Sequence, residues 1–227
     1  DRRVLLVTGT LPGEGQSTIA QQLAETLADW GKKVCLIDCD LRQPSLYARY
    51  HQKNKVWTLS ECLAADADEG SQSGNVSTDN LLLVGNSLPI KHPTEVLASP
   101  QMKTLISRIA QEADFVILDA PPCDTLPDAT VLMQYADRIL YVVRQDYAPT
   151  PRIQDAVEDL CEDDEKLLGY VLSFADATAS GYGKYGYGTY SYGKYGNGYY
   201  GKYGYTKKYG YYSKYHFTEQ SEGPSEK

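Results

Sequence analysis

The chain has 227 residues, with 22 Lys and Arg against 30 Asp and Glu, a net charge of −8 and 42% hydrophobic residues. That is enough for one generous domain, or one domain and a tail, at roughly 100 to 200 residues per domain. No run approaches the ~18 to 20 apolar residues of a membrane span and no charged-then-apolar leader opens the chain, so a soluble segment is expected. Its entry into an apolar run at Val4 without an initial Met reads as a domain cut from a longer protein. The five cysteines, Cys35, Cys39, Cys62, Cys123 and Cys161, are odd in number and form no CxxC pair, which argues against a disulfide framework and for a reducing compartment.

Tyrosine is concentrated at one end. Of 20 Tyr, 14 lie between Tyr182 and Tyr215, and the charge changes at the same place: residues 1–180 carry a net −12, residues 181–215 a net +6 from six Lys and no acid, and the last twelve residues −2. Two materials are joined near Ser180, giving a globular part over 1–180 and a tail over 181–227.

In chain order, strands are expected at Val4 to Thr8, Val34 to Asp38, Leu81 to Val84, Phe115 to Asp119, Arg138 to Val143 and Leu168 to Ser173. Helical patterns alternate with them. Ile19, Leu23, Leu27 and Trp30 recur at helical spacing on one face, and Gly31 follows as a C-terminal cap. Further helices are expected near Leu59 to Ala65, Gln101 to Ala113, Leu126 to Tyr135 and Arg152 to Cys161, with a surface loop from Asp66 to Asn80. The pattern predicts a doubly wound α/β fold, a mostly parallel sheet with helices on both faces. Ligands then bind at the carboxyl ends of the strands.

The stretch from Gly9 to Thr18, GTLPGEGQST, leaves the first strand and opens the first helix. A Gly-rich turn there lets backbone N–H groups close around phosphate oxygens, helped by the helix dipole. Pro12, Gly13, Glu14, Gly15, Gln16, Ser17 and Thr18 are the candidate nucleotide-binding residues, with the Ser17 hydroxyl placed to ligate Mg²⁺. A P-loop has Lys immediately before that hydroxyl; this chain has the neutral, shorter Gln16. Losing a cation aimed at the transferring phosphoryl costs on the order of 3 kcal/mol, the scale of one transition-state donor. Asp38 and Asp40, two residues apart at the end of the second strand, point the same way. Asp119 closes the apolar run Val116 to Leu118 in the manner of a Walker B acid. Asp38, Asp40, Gln16 and Arg42 are the catalytic candidates; Ser17, Asp38 and Asp119 are the metal candidates. Arg42 is preferred over Arg144 and Arg152 as a phosphate-facing cation, Cys123 reads as structural, and His51, His92 and His216 read as surface histidines. The acidic run from Glu158 to Glu165 reads as a solvated helix face.

The loop GTLPGEGQST, the stretches LIDCDLRQP and FVILDAPP, the segment KHPTEVLAS and the Tyr-rich tail together resemble the bacterial tyrosine kinases, the cytoplasmic kinase domains of polysaccharide co-polymerases. The resemblance implies Mg-ATP as phosphoryl donor, with Gly13, Gly15, Ser17 and Thr18 on phosphates and magnesium. Asp38 and Asp40 would form the second Walker motif, one of them helping to deprotonate the attacking tyrosine, and Asp119 would complete the magnesium site. Leu11 stands where related partition and cell-division ATPases carry a Lys, which favours the kinase branch. The resemblance further implies a homo-oligomeric ring, a membrane activator fused upstream or separate, polysaccharide export machinery and a tyrosine phosphatase as partners, at the cytoplasmic face of the bacterial inner membrane. The family's Glu-x-x-Arg-x-x-Arg assembly motif, upstream of the first strand, is not in this sequence, and Ser173 stands where the family often has Asn near adenine.

The tail repeats Tyr-Gly and Lys-Tyr-Gly and lacks aliphatic residues for a core, so it is expected to be disordered. Tyr199, Tyr200, Tyr203, Tyr205, Tyr209, Tyr211, Tyr212 and Tyr215 are the candidate phosphoacceptors. Gln16 leaves an engineered substitution, a naturally weak kinase or a nucleotide-binding pseudokinase with a substrate tail all open. A Tyr/Gly-rich nucleic-acid binder is the reading from another class; the acidic balance and the absence of Arg from the tail argue against it, and no nucleic acid is expected.

Overall fold

The computed structural model describes residues 3–51, 55–65, 80–161 and 164–175. Most of the predicted loop from Asp66 to Asn80, the tail from 181 onward with its candidate phosphoacceptors, His216, and Glu162 and Asp163 of the acidic run lie outside the described residues.

Seven strands form one sheet in the order β3-β4-β2-β5-β1-β6-β7. They are β1 Val4–Gly9, β2 Val34–Asp38, β3 Val56–Trp57, β4 Leu81–Val84, β5 Phe115–Asp119, β6 Arg138–Arg144 and β7 Leu167–Ser173. Every pairing is parallel. The helices are α1 Gln16–Asp29, α2 Leu46–Tyr50, α3 Leu59–Ala65, α4 Pro93–Leu97, α5 Pro100–Glu112, α6 Asp128–Leu132 and α7 Thr150–Leu160, with a 3₁₀ turn at Asp164–Lys166. None of the described helices is long and apolar enough to cross a membrane.

The central strands β1, β2, β4 and β5 are buried almost throughout, as apolar runs must be when helices cover both faces. One layer packs Val7, Leu36, Leu83, Ile117 and Val142 against Ala20, Ala24 and Ala28 of α1 and Leu46 of α2. The other packs Leu6, Ile37, Leu118 and Tyr141 against α3, α4, α5, α6 and α7 through residues such as Leu59, Leu97, Met102, Leu105, Leu132 and Leu160.

Helix α1 differs from the sequence expectation in which face it buries. Ala20, Ala24 and Ala28 meet the sheet, Ile19, Leu23 and Leu27 are only partly buried, and Trp30 is 74% exposed. Small side chains let the helix lie close to the strands, so the larger ones flank the contact. Its end follows the expectation: Gly31 has φ 78°, and Gly31 N–H donates to Ala28 O (2.8 Å) and Lys32 N–H to Leu27 O (3.1 Å), the paired bonds of a Schellman cap.

The elements missing from the sequence reading are β3, α2, α4 and the 3₁₀ turn, each five residues or shorter. Such pieces show no full period and are fixed by tertiary partners. The helix expected over Leu126 to Tyr135 is confined to α6. Edge strand β7 exposes Leu168, Tyr170 and Leu172 on alternate positions.

Candidate functional site

The chain leaves β1 at Gly9, turns through Thr10 to Gly15 and enters α1 at Gln16. Gly13 and Gly15 take φ values of 87° and 95°, left-handed positions that favour glycine. Three successive loop carbonyls are held from the β6–β7 side. Tyr147 OH donates to Pro12 O (2.9 Å), Arg144 Nη1 to Gly13 O (3.1 Å) and Ser173 Oγ to Glu14 O (2.5 Å). In a trans peptide the N–H points opposite to the C=O, so these bonds turn the N–H groups of Gly13, Glu14 and Gly15 the other way, into the hollow of the loop. The first α1 bond runs from Ile19 N–H to Gly15 O (3.0 Å). The N–H groups of Gln16, Ser17 and Thr18 therefore stand at the helix start without intrahelical acceptors. The result is a run of donors with a helix dipole behind it, suited to phosphate oxygens.

Glu14 is buried under the loop, its Oε2 accepting the Leu11 N–H at 2.8 Å. Its Oε1 has no hydrogen-bond partner, and burial raises its pKa above the ordinary 4.5. A Cβ on Gly9 would lie 2.7 Å from Glu14 Oε2 and 2.8 Å from Val142 O, so glycine is required there for packing. At the base of the loop Thr10 Oγ1 and Tyr141 OH are 2.9 Å apart, and Tyr141 OH also meets Cys123 Sγ at 3.3 Å. Burial pushes the Cys123 thiol up to about 11, which keeps it protonated at neutral pH.

Asp38 and Asp119 end adjacent strands and are register partners. Asp38 Oδ1 accepts the Asp40 N–H (3.1 Å), and Oδ2 accepts the N–H groups of Ser45 (2.8 Å) and Leu46 (2.9 Å). It thereby caps α2 from β2, and burial pushes its pKa up to about 6 against those hydrogen bonds. Asp119 is buried with Oδ1 unpartnered. Desolvation and the neighbouring Asp38 raise its pKa well above the usual value, and a hydrogen bond from Ser17 opposes them. Asp40 is only partly buried, with Oδ1 on the Gln43 N–H (2.9 Å).

Arg42 lies close enough to Asp40 to lower its pKa against burial, while its guanidinium reaches α4 and α6. Its Nε donates to Asp128 Oδ2 (2.8 Å) and its Nη2 to Thr94 Oγ1 (3.0 Å), while Thr94 Oγ1 donates to Asp128 Oδ1 (2.5 Å). Thr94 belongs to KHPTEVLAS, so that segment joins the Asp38–Asp40 turn to α4 and α6. Arg144 is a cation on the loop itself, and Arg152 pairs with Asp124. Among the site predictions, Gly13, Gly15, Gln16, Ser17, Thr18, Asp38 and Asp119 fall around one loop, with Pro12 contributing its carbonyl and Glu14 lying beneath. His51 and His92 are exposed.

Sequence reasoning missed Tyr141, Tyr147, Phe174 and Asp128. Tyr147 and Phe174 lie just beyond the ends of β6 and β7, where ligand-facing residues of such a sheet are expected. Asp128 carries no local signal, since its partners Arg42 and Thr94 reach it only through the packing of α6.

A family model described as ATPase MipZ matches residues 3–147. Tyrosine-protein kinase YwqD of Bacillus subtilis is 35% identical over 183 residues, spanning 80% of this chain and 76% of that protein. Tyrosine-protein kinase CpsD of Streptococcus pneumoniae is 31% identical over 181 residues, spanning 80% of both. Among solved structures, the VpsO kinase domain superposes with a TM-score of 0.66 at 27% identity, covering 78% of this chain and 86% of that one. Sequence motifs, parallel sheet and relatives agree: the chain belongs to the bacterial tyrosine kinase family, built on the P-loop ATPase fold that the MipZ model describes.

Proposed function

We propose that the chain is a protein-tyrosine autokinase that transfers the γ-phosphoryl of Mg-ATP to tyrosines of its own tail, mostly between copies, in the control of exopolysaccharide or capsular polysaccharide synthesis and export. The observation that carries the reading is the loop from Gly9 to Thr18, in which the N–H groups of Gly13 to Thr18 are left to one hollow beside Ser17 and the orphaned Asp119 Oδ1.

That orphaned, buried carboxylate oxygen fits a divalent cation, which would supply charge to stabilise transferring phosphate oxygens. Among the described residues no cluster of three His, Cys, Asp or Glu is arranged to hold a metal alone. Ser17 and Asp119 would hold magnesium together with phosphate oxygens of the nucleotide, as small cations in phosphotransferases are held. Asp38, with its oxygens on three backbone N–H groups, keeps the β2 end and α2 in place beside that site. Asp40 is the more accessible of the two acids and is assigned the tyrosine proton. As the tyrosine oxygen bonds to γ-phosphorus and the bond to the β-phosphate oxygen breaks, the phenolic proton passes to the Asp40 carboxylate and ADP leaves. Gly13, Glu14, Gly15, Gln16, Ser17 and Thr18 orient the phosphates through their N–H groups.

Gln16 supplies no charge at the position next to Ser17, which favours a second reading, a nucleotide-binding pseudokinase whose tail is phosphorylated by an intact copy or another kinase. The deciding experiment is tyrosine labelling from Mg-ATP after phosphatase treatment, for the chain and for Gln16→Lys, with nucleotide affinity measured on both. Labelling of both, with Gln16→Lys faster by about 100-fold, supports a weakened kinase. Labelling of Gln16→Lys alone supports the pseudokinase, and labelling of neither while both bind nucleotide removes the autokinase reading. The proposed partners are further copies in a ring, a membrane activator, the export machinery and a tyrosine phosphatase, at the cytoplasmic face of the inner membrane.

A further inference from the structure

Arg49 is the last residue but one of α2 and is exposed, and its Nη1 donates to Gln21 Oε1 of α1 at 2.8 Å. One residue on, Tyr50 OH donates to Glu25 Oε1 (2.5 Å), so α2 is tied to α1 at two successive turns. Ser17, Gln21 and Glu25 are spaced by four and share one face of α1. At the head of that face Ser17 hydrogen-bonds Asp119, and Arg49 is near enough for its charge to favour the ionised form of Asp119. Gln21 stands about 6 Å further along the helix axis than Ser17, at 1.5 Å per residue. The guanidinium is therefore held about one helical turn from the hydroxyl and the orphaned carboxylate oxygen beside the loop.

Other arginines around the loop have charged or structural partners. Arg42 is paired with the buried Asp128, and Arg152 with Asp124. Arg144 grips Gly13 O from β6, against the Tyr147 and Phe174 rings. In the sheet, β6 lies on one side of β1, while β5 with Asp119 and β2 with Asp38 lie on the other. Arg49 belongs to the side of the acids, because Asp38 caps the start of its helix. It makes no ion pair among the described residues, and its hydrogen-bond partner is a neutral amide. The nitrogen of that same amide, Gln21 Nε2, is buried without an acceptor, so a second donor adjoins the guanidinium. A guanidinium with no anion and a donor with no acceptor, one turn from a phosphate loop whose lysine position is neutral, suit a phosphate oxygen.

We propose that Arg49 supplies from α2 the cation that Gln16 lacks, its guanidinium meeting the terminal phosphate of a bound nucleoside triphosphate. The inference rests on the nucleotide-binding part of the function proposed above. Gln21 Oε1 keeps the guanidinium close, and the long arginine stem spans the remaining turn. A nucleoside diphosphate has no phosphate at that place, so Arg49 separates the two nucleotides by affinity.

Calorimetric titration of the full chain in Mg²⁺ with ADP and with the non-hydrolysable imido analogue of ATP tests this. Arg49→Met is expected to weaken the triphosphate by about 10- to 100-fold, the scale of one hydrogen bond to a charged group, and ADP by less than about twofold. Arg49→Lys, which keeps a charge on a long stem, is expected to retain most of the preference for the triphosphate. In a Gln16→Lys background the loss on Arg49→Met is expected to shrink below about threefold, since two cations serving one phosphate do not act additively. Should Arg49→Met fail to give a native circular dichroism spectrum, Arg49→Gln repeats the comparison with a neutral side chain that can hydrogen-bond Gln21. Unchanged affinity for the triphosphate, or an equal loss for both nucleotides, overturns the inference and leaves Arg49 as a tie between α1 and α2. So does a full loss that persists beside Gln16→Lys, which would put the two side chains at separate places. If the unaltered chain binds neither nucleotide, the phosphate-loop reading itself fails, a result distinct from a loss confined to the Arg49 variants.

Discussion

Glu14 and Asp119 are the two buried carboxyl groups near the loop that keep an unpartnered oxygen, and they answer to different tests. Burial raises Glu14 above 4.5. In the pH window just above that value the folded chain holds a proton that the unfolded chain has released, so this group's stability contribution falls as pH rises through the window. Glu14→Gln keeps an acceptor for the Leu11 N–H and cannot ionise. Its Tm relative to that of the unaltered chain is expected to climb as pH rises above that ordinary value, following the linkage of burial to ionisation. A Tm difference independent of pH would mean that Glu14 titrates as an ordinary carboxylate. On the function proposed above, the buried Asp119 carboxyl serves the magnesium site at the expense of the metal-free fold. Asp119→Asn is expected to raise Tm in EDTA and to lower tyrosine labelling by about 100-fold or more, the scale of a lost transition-state contact. Loss of labelling together with a lower Tm in EDTA would instead make Asp119 a structural acid.

At the scale of elements, glycines and one ion pair carry separable costs. Gly31 has φ 78° and no atom within 4 Å of a Cβ built there. Gly31→Ala should therefore cost only the left-handed conformation, about 1 kcal/mol by denaturant unfolding, with nucleotide affinity unchanged. Gly15→Ala meets both a φ of 95° and the Phe174 ring, so it should weaken nucleotide binding by well over the effect of Gly31→Ala on stability alone. Arg42 holds α6 to the turn after β2 through Asp128, whose side chain is 1% exposed while that of Arg42 is 33% exposed. Arg42→Met strands a buried carboxylate and is expected to cost about 2 to 3 kcal/mol, somewhat less than a fully buried pair. Nucleotide affinity close to that of the unaltered chain would confirm that Arg42 positions the Asp38–Asp40 turn without touching phosphate; a large loss with little change in stability would return it to the phosphate site.

For the whole molecule, residues 1–180 carry a net −12 and residues 181–215 a net +6, opposite charges on two stretches of one chain. On the function proposed above, Lys184, Lys194, Lys202 and Lys214 would draw tail tyrosines toward acidic surfaces of another copy, and each phosphorylation, adding about −1.5 to −2 charge, would oppose that attraction. Replacing the eight candidate tyrosines from Tyr199 to Tyr215 with Glu should therefore reduce self-association of the full chain, measured by sedimentation. The unaltered chain's self-association should also weaken with added salt, since exposed charges are screened beyond about 8 to 10 Å at physiological ionic strength. Equal association of both chains, or association indifferent to salt, would remove electrostatic steering as the role of the basic tail.

Local signals determined the long elements and the chemistry of the loop. Apolar strand runs, helical periodicity and the Gly13, Gly15 and Gly31 positions follow from backbone rules that act within a few residues, and the order of GTLPGEGQST, LIDCDLRQP and FVILDAPP places acids beside a phosphate loop in any parallel α/β sheet. Tertiary structure decided which side chains those residues meet. Burial and backbone N–H groups engage Asp38 while Asp119 keeps a free oxygen, and Arg42 binds Asp128 across 86 positions of sequence while Arg144 takes the loop. The Ala face of α1 displaces its larger side chains from the sheet, and Ser173 and Phe174 reach the loop only because β7 lies two strands from β1. Such contacts join residues far apart in sequence, and no periodicity or propensity encodes them. Only the assembled sheet brings the groups into hydrogen-bonding and van der Waals range.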